Sequence, residues 1–350
     1  MTNVTHDIGY SGSGRQEGCK EMKYNIKDVA KKAGVSISTV SRVINQSKPV
    51  RPKTRDRVMD AIDELAYRPN AIARSLKVKH TQSIGIMVPD IANQYYPEVV
   101  RGVEDVANMY DYTILLCNTD MDYDKELRYF TELEEKQVDG LIVMGNLISD
   151  TLAQKIKESG IPVVLVGTSH EEMPSVTINN VMAARDAVNY LIQNGHLRIG
   201  MITGKMKDPV MGKARLEGYR TALDGAGIEW QQELVVEGGY RFKSGYEGAV
   251  QLLMLNDKPT AIFVSSDEMA IGAMRAILEK GLRIPEDIAI IGFDNIDMAE
   301  KVYPSLTTIA QPMYEMGAIG TRLLTKYLQG DSVSADKVIL EYKLIMRESA

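Results

Sequence analysis

Short apolar runs recur along most of this chain, and amphipathic stretches separate them. The first series is SIGIMV (83–88), YTILLC (112–117), GLIVMG (140–145) and PVVLVG (162–167). The second series is RIGMITG (198–204), ELVVEGG (233–239), AIFVSSD (261–267) and IAIIGFD (288–294). Such alternation predicts parallel sheets with helices on both faces. We therefore predict a two-lobed α/β domain over residues 81–350, with a ligand cleft between the carboxyl ends of its strands.

Charge is distributed unevenly along the chain. The whole sequence carries a net charge of −6, but residues 22–80 contain 14 Lys and Arg against 5 Asp and Glu. Residues 81–350 carry the excess of acidic groups. A basic segment joined to an acidic body indicates that one end binds a polyanion. The alternative is a basic domain that is merely soluble.

The basic segment has the pattern of a helix-turn-helix. IKDVAKKA (26–33) has the apolar spacing of one short helix. Gly34 supplies a tight turn, Ser36 is a good N-cap for a second helix, and a third helix follows Pro52. We predict an all-α helix-turn-helix domain over residues 22–68. Its predicted core comprises Ile26, Val29, Ala30, Ala33, Val35, Val40, Ile44, Val58, Ile62 and Leu65.

The second helix of this unit carries an unusual number of small hydroxyl side chains, in GVSISTVSRVIN (34–45). Short side chains allow a helix to approach the floor of the DNA major groove and to bond to phosphates and base edges. Arg42 is long enough to reach a guanine or a phosphate. An ordinary polar surface helix is the alternative. The predicted DNA-contacting residues are Ser36, Ile37, Ser38, Thr39, Ser41, Arg42, Asn45, Arg51, Tyr67, Asn70, Ala73 and Leu76.

Two segments border the helix-turn-helix. YRPNAIARSLKVKH (67–80) predicts a short hinge helix or linker over residues 69–80. Leu76 has no evident core to join there, so it is either a wedge for a minor groove or a contact between domains. Residues 1–21 have no periodicity and predict a disordered tail. Whether the functional protein begins at Met22 stays open.

Several classes of protein fit the sequence poorly. Cys19 and Cys117 make neither a disulfide framework nor a metal cluster, and we expect no cofactor or metal. No apolar run approaches a membrane span, so we expect a cytoplasmic protein. Four histidines without a catalytic motif argue against an enzyme. A periplasmic solute-binding protein would share the two-lobed fold, but the basic segment and the missing export signal count against it.

Two N-terminal segments, IKDVAKKAGVSISTVSRVIN and YRPNAIARSLK, resemble the helix-turn-helix and hinge helix of the LacI/GalR family of bacterial transcription regulators. IAIIGFDN and PSLTTIAQP resemble the C-terminal lobe of that family. The resemblance covers residues 22–347. It implies a homodimer on a palindromic operator, with Leu76 of each chain inserted into the central minor groove.

Other segments, among them DYDKELRYFTELEEKQVDGLIVM, resemble the family's regulators of carbon catabolite repression. That resemblance implies a protein corepressor, the phosphocarrier HPr phosphorylated on serine, with its phosphoserine on Arg322. Arg322 and Lys326 are one helical turn apart, and a guanidinium suits a phosphate. Without the resemblance, they would be two solvated cations. The implied corepressor residues are Asp90, Tyr110, Asp120, Tyr314, Glu315, Arg322 and Lys326, and Glu315 replaces the aspartate expected there.

Arg215 and Asp294 point to a small effector as an alternative to the protein corepressor. Arg215 and Asp294 match positions at which the family holds small ligands in the cleft between the lobes. They imply either a site for a sugar or sugar phosphate, or an ion pair that needs no ligand.

Overall fold

The structure is a computed structural model that describes residues 24–45, 48–67, 80–145, 148–331 and 337–350. The chain divides into two compact units, one ending at Lys79 and the other running from His80 to Ala350. The predicted tail (1–21) and all but the last residue of the predicted hinge segment (69–80) lie outside the described residues. No described helix is long and apolar enough to cross a membrane.

The N-terminal unit contains three helices, α1 (Ile26–Ala33), α2 (Ile37–Asn45) and α3 (Pro52–Glu64). The first helix begins at a capping box, in which the Asn25 side chain accepts the N–H of Lys27 and Asp28 accepts the N–H of Asn25. It ends at Gly34, whose φ of 64° is in the left-handed region. The predicted helix-turn-helix is confirmed.

The three helices enclose a small apolar core. Val40 is fully buried, and Ala30 is buried where the helices meet, as predicted. The predicted core residues Val35, Ile44, Ile62 and Leu65 are half-buried against it. The prediction missed Val43 and Ala61. With so few buried side chains, the unit depends on small residues that let its helices approach closely.

The second unit consists of two six-stranded sheets. The first sheet has the order β11-β5-β4-β3-β1-β2, and the second has the order β12-β10-β9-β8-β6-β7. All strand pairs are parallel except β10 with β12. The strands are β1 (Ser83–Val88), β2 (Thr113–Asn118), β3 (Gly140–Met144), β4 (Val163–Val166), β5 (Ser175–Ile178), β6 (Ile199–Thr203), β7 (Val235–Glu237), β8 (Ala261–Val264), β9 (Ala289–Asp294), β10 (Thr307–Ala310), β11 (Lys337–Leu340) and β12 (Lys343–Ile345).

Helices connect the strands and cover the sheets, as predicted. They are α4 (Tyr95–Met109), α5 (Tyr123–Glu135), α6 (Asp150–Ser159), α7 (Asn180–Gln193), α8 (Ala214–Gly225), α9 (Phe242–Leu253), α10 (Asp267–Glu279), α11 (Asp297–Lys301) and α12 (Met313–Leu328). The two-lobed α/β prediction is thereby confirmed. Sequence periodicity missed β5 and β10 to β12, which are three or four residues long.

The chain passes between the two lobes three times. It leaves the first sheet after β5, returns after β10 to place α12 against β3 and β4, and leaves again after β11 to add β12 to the second sheet. Each lobe is therefore completed by the C-terminal third of the chain. The carboxyl ends of the parallel strands of both sheets border the cleft.

Two glycines allow α4 and α12 to cross with their backbones in contact. A Cβ atom at Gly102 would lie 2.0 Å from the carbonyl oxygen of Tyr314. A Cβ atom at Gly317 would lie 2.0 Å from the carbonyl oxygen of Val99. No real side chain tolerates that distance to a backbone atom, so any larger residue forces the helices apart.

We predict that Gly317→Ala lowers the free energy of unfolding of the second unit by about 1–3 kcal/mol, because the added methyl group displaces α4. Urea unfolding followed by circular dichroism measures the change. Gly225→Ala is the control, since a Cβ atom there meets nothing within 4 Å. Equal stability of the two variants would contradict the close crossing.

Candidate nucleic-acid interface and effector sites

The hydroxyl side chains of the helix-turn-helix form one cluster at the start of α2. The hydroxyl of Ser36 lies 2.8 Å from that of Ser38 and 2.9 Å from that of Thr39. The backbone N–H of Thr39 also donates to Ser36 Oγ over 3.2 Å, which confirms the predicted N-cap. Mutual bonding holds the hydroxyls in place at the exposed N-terminus of the helix, where phosphates are favoured.

The remainder of α2 is amphipathic. Val40 and Val43 are buried, whereas Arg42 is exposed and has no ion pair within the described residues. Ile37 is 44% exposed beside the hydroxyl cluster. Ser41 is half-buried. A cation and a row of short side chains therefore share the outer side of one helix.

The other predicted DNA contacts lie apart from α2. Arg51 is exposed immediately before α3. Tyr67 is half-buried, and its side chain packs against the core of the helix-turn-helix. The side chain of Asn45 and the whole of Asn70, Ala73 and Leu76 lie outside the described residues.

The two cations predicted to bind a phosphoserine lie on α12. Arg322 and Lys326 are exposed, four residues apart on one face of the helix, and neither has an ion pair within the described residues. We call this pair the α12 cationic face. Thr321 and Leu324 are buried on the opposite side of α12. The buried side fixes the helix, and the cationic face points to solvent.

Beside the α12 cationic face, Tyr314 is anchored to α4. Its hydroxyl donates to Asp105 Oδ2 over 2.9 Å, and this bond raises the pKa of Tyr314. Asp105 could not be predicted as a partner of Tyr314, because nothing in the local pattern of α4 shows which helix packs beside it. Glu315, which follows Tyr314, is exposed. Tyr110, which follows the last residue of α4, is 43% exposed.

The two predicted aspartates lie elsewhere, at the carboxyl ends of β1 and β2. Asp90 is 5% exposed, and its Oδ2 lies 2.8 Å from Nη2 of Arg241 on the other lobe. Asp120 pairs with Lys125, whose hydrogen bond lowers the pKa of Asp120. Tyr110 precedes the amino end of β2, so it lies at the opposite edge of the sheet.

Arg215, on α8, is the most deeply buried cation of the cleft. It is 1% exposed, and its Nε donates to Asn180 Oδ1 over 2.9 Å. Its Nη1 donates to the carbonyl of Ser265 over 2.5 Å and lies 3.8 Å from Asp294 Oδ1. The guanidinium carbon lies 3.6 Å from the centre of the Phe293 ring. These contacts give the guanidinium two hydrogen bonds and a stacked aromatic ring from the protein itself.

Asp294 is buried beside Arg215 and accepts a hydrogen bond of 2.7 Å from Gln311 Nε2. Burial raises the pKa of Asp294 well above its ordinary value of 3.8, although Arg215 opposes the shift. The nearby carboxyl of Asp267 adds to the rise. The ion pair between Arg215 and Asp294 is therefore weak. Asp294 is partly protonated, and the guanidinium of Arg215 makes its hydrogen bonds to other groups.

Three tyrosines fill the cleft around this pair. The hydroxyl of Tyr240 donates to Asp208 Oδ2 over 2.9 Å, and its carbonyl accepts the Asn93 side-chain amide over 3.1 Å. Tyr95 and Tyr96 are also buried there. About 10 Å³ of space is left, which is room for one water molecule at most. These tyrosines could not be predicted from the sequence, because the pocket in which they meet is formed by both lobes.

Comparisons with known proteins agree with this architecture. Residues 25–70 match the model of bacterial regulatory proteins of the lacI family, and residues 188–350 match that of a periplasmic binding protein-like domain. Catabolite control protein A of Priestia megaterium is 43% identical over 94% of this chain and 99% of its own.

Two solved structures are similar over most of the chain. A lac repressor dimer bound to operator and the anti-inducer ONPF has a TM-score of 0.84 at 30% identity, covering 93% of this chain and 98% of its own. A complex of the transcriptional regulator CelR with cellobiose has a TM-score of 0.72 at 34% identity, covering 93% of this chain and 100% of its own.

A helix-turn-helix joined to a two-lobed unit of this topology defines a DNA-binding transcription regulator. The chain belongs to the LacI family of bacterial regulatory proteins. The resemblance noted in the sequence is confirmed.

We predict that Asp294→Asn flattens the pH dependence of stability. A raised pKa means that the folded state keeps a proton which the unfolded state releases above about pH 4, so this carboxyl lowers the free energy of unfolding as pH rises. The variant should lose less stability between pH 5 and pH 8, by up to about 1.4 kcal/mol per pH unit. Urea unfolding at a series of pH values measures this.

The control for this prediction is Asp224→Asn, which replaces an exposed aspartate at the end of α8. It should follow the pH dependence of the unsubstituted protein. If Asp294→Asn does the same, Asp294 is ionised in the folded protein, and the assignment is wrong.

Proposed function

We propose that this chain is a regulator of carbon catabolite control that binds a palindromic operator as a homodimer. Its affinity for DNA is enhanced by serine-phosphorylated HPr, which binds the α12 cationic face. The identity of 43% with a catabolite control protein A, over 94% of the chain, supports the class of pathway. The lac repressor structure, a dimer bound to operator, supports the mode of DNA binding.

The corepressor proposal rests mainly on the exposure of Arg322 and Lys326 and on their lack of ion pairs within the described residues. They are spaced by one turn. A phosphoserine supplies close to two negative charges and three acceptor oxygens, which suits a guanidinium fork beside an ammonium group. Tyr314, held by Asp105, adds a polar side chain near the N-terminus of the same helix.

A small sugar or sugar phosphate in the cleft is the second candidate. It is favoured by Arg215 and Asp294 and by the similarity to a regulator in complex with cellobiose. The filled pocket around Arg215 counts against a sugar at that position, because about 10 Å³ is far below the roughly 300–1,000 Å³ of ordinary ligand sites. A sugar would have to displace Tyr240 or separate the lobes.

Coupling between corepressor and DNA requires only a difference in affinity. Serine-phosphorylated HPr must bind the DNA-competent state more tightly than the other state, and operator then strengthens HPr binding by the same factor. A coupling of about 1–3 kcal/mol is typical. In this proposal, α2 contacts the bases of the operator. The insertion of Leu76 into the minor groove remains a prediction.

We predict that Arg42→Ala weakens operator binding by about 1–3 kcal/mol, because a bidentate contact with a base is lost. Titration of the dimer with operator and with random DNA at fixed salt measures the change. Lys258→Ala, an exposed cation on the second unit, is the control and should bind as the parent protein does. Equal losses on both DNAs would assign Arg42 to a phosphate rather than to a base.

We predict that Arg322→Ala abolishes the gain in operator affinity caused by serine-phosphorylated HPr, whereas basal DNA binding is retained. Arg322→Lys should retain part of the gain, because an ammonium keeps the charge but loses the fork. Operator titrations with and without the phosphoprotein, and separately with glucose 6-phosphate, measure both effects.

Arg128→Ala, which removes an exposed arginine of α5, is the matched control and should respond fully. A full response of Arg322→Ala would place the phosphate elsewhere. A response to glucose 6-phosphate alone would favour the second candidate.

A further inference from the structure

The second unit begins at His80, the last residue of the predicted hinge segment. Residues 80–82 precede β1, so they lie at the amino ends of the strands of the first sheet. This edge of the sheet is opposite the cleft, which the carboxyl ends border. Any displacement that the chain transmits between the lobes and the helix-turn-helix must pass through these three residues.

The side chain of Asp139 contacts three consecutive residues before β1. Its Oδ1 accepts the N–H of Thr81 over 3.0 Å, and its Oδ2 accepts the N–H of Gln82 over 2.7 Å. Oδ1 also lies 3.4 Å from Nδ1 of His80. Asp139 directly precedes β3, and its own N–H donates to the carbonyl of Ser83 over 2.8 Å. The carboxylate therefore joins the start of the second unit to the sheet.

The environment of this carboxylate makes its hydrogen bonds strong. The side chain of Asp139 is only 4% exposed, so water competes little for it, and a charged acceptor gives the stronger bonds. Gln82 has a φ of 51°, in the left-handed region, which costs free energy for a residue with a Cβ atom. The bond from its N–H to Asp139 offsets that cost. The hydroxyl of Thr81 adds a bond of 2.8 Å to the carbonyl of Gln137.

The first sheet forms its ladder without this carboxylate. β1 pairs with β2 along its whole length and with β3 over four residues. The carbonyl of Gln82 already accepts the N–H of Thr113 over 2.9 Å. Gln82 is exposed, so water would satisfy its N–H if the carboxylate were removed. The bonds of Asp139 thus fix residues 80–82 more firmly than the sheet requires.

We propose that Asp139 is a positioning residue for DNA binding. It fixes the point at which the chain leaves the lobe, so that the lobes of a homodimer set the separation of its two helix-turn-helix units. Without the carboxylate, residues 80–82 would add about 10 Å of chain that is not held to the lobe. That length is roughly three base pairs of duplex. The inference rests on the proposed binding of a palindromic operator by a homodimer.

The spacing of operator half-sites tests the proposal. A palindrome is first selected from random DNA with the full-length parent protein, and copies with one or two base pairs inserted at the centre are then titrated at fixed salt. In Asp139→Ala, the preference for the selected spacing should fall about threefold or more. Asp139→Asn keeps one carbonyl acceptor and should lie between Asp139→Ala and the parent protein. Lower stability alone does not change this preference, because unfolded protein binds neither DNA.

Asp287→Ala is the matched control. Asp287 also accepts a backbone N–H, that of Arg283 over 2.8 Å, but it precedes β9 in the second sheet. This variant should keep the spacing preference of the parent protein. The same preference in Asp139→Ala would overturn the proposal.

Amide hydrogen exchange separates this inference from the proposed function. The N–H groups of Thr81 and Gln82 should exchange about tenfold faster or more in Asp139→Ala, and at the parent rate in Asp287→Ala. Unchanged exchange in Asp139→Ala would show that the carboxylate does not hold these residues, and the inference would be wrong whatever the DNA titrations show. If the parent protein selects no palindrome although exchange is accelerated as expected, the proposed operator binding fails, and the role of Asp139 in DNA binding fails with it.

Discussion

The close crossing of α4 and α12 is the contact on which the effector unit depends. The chain reaches α12 only after it has built the second sheet, yet this helix packs on the first sheet. Gly102 and Gly317 make the contact possible, because they let backbone meet backbone. Once one side of α12 is committed to this packing, Arg322 and Lys326 are held on the outer side at a fixed spacing. The geometry of the α12 cationic face is thus a consequence of packing.

In the cleft, the cost of burying the Arg215 guanidinium is offset by the groups around it. A buried guanidinium is costly unless hydrogen bonds and opposite charge offset its desolvation. Asn180, the carbonyl of Ser265 and the ring of Phe293 provide that offset for Arg215, while Asp294 contributes weakly because burial favours its protonated form. The pocket around Arg215 is therefore occupied by the protein's own groups. This occupancy counts against the proposed sugar at Arg215.

Polar contacts also join the two lobes near the mouth of the cleft. Asp90 pairs with Arg241, and the amide of Asn93 donates to the carbonyl of Tyr240. These bonds cross from one lobe to the other, so they stabilise this arrangement of the lobes. Asp90 was implied by family resemblance to face a protein partner. In this arrangement of the lobes, a partner that contacts Asp90 would have to replace Arg241 as its ion-pair partner.

The sequence alone determined the fold class, the helix-turn-helix and most of the strands. Their signals are local: α1 occupies residues 26–33 as predicted, β1 occupies 83–88, and the hydroxyl-rich helix presents its polar side outward. Tertiary structure decided the rest. The strand β11 pairs with β5 across more than 150 residues of chain, Tyr240 fills a pocket built by both lobes, and Asp105 finds Tyr314 on a distant helix. The periodicity of apolar residues indicates which face of a helix or strand is buried. It does not indicate which other helix or strand covers that face, because this depends on how the whole chain packs.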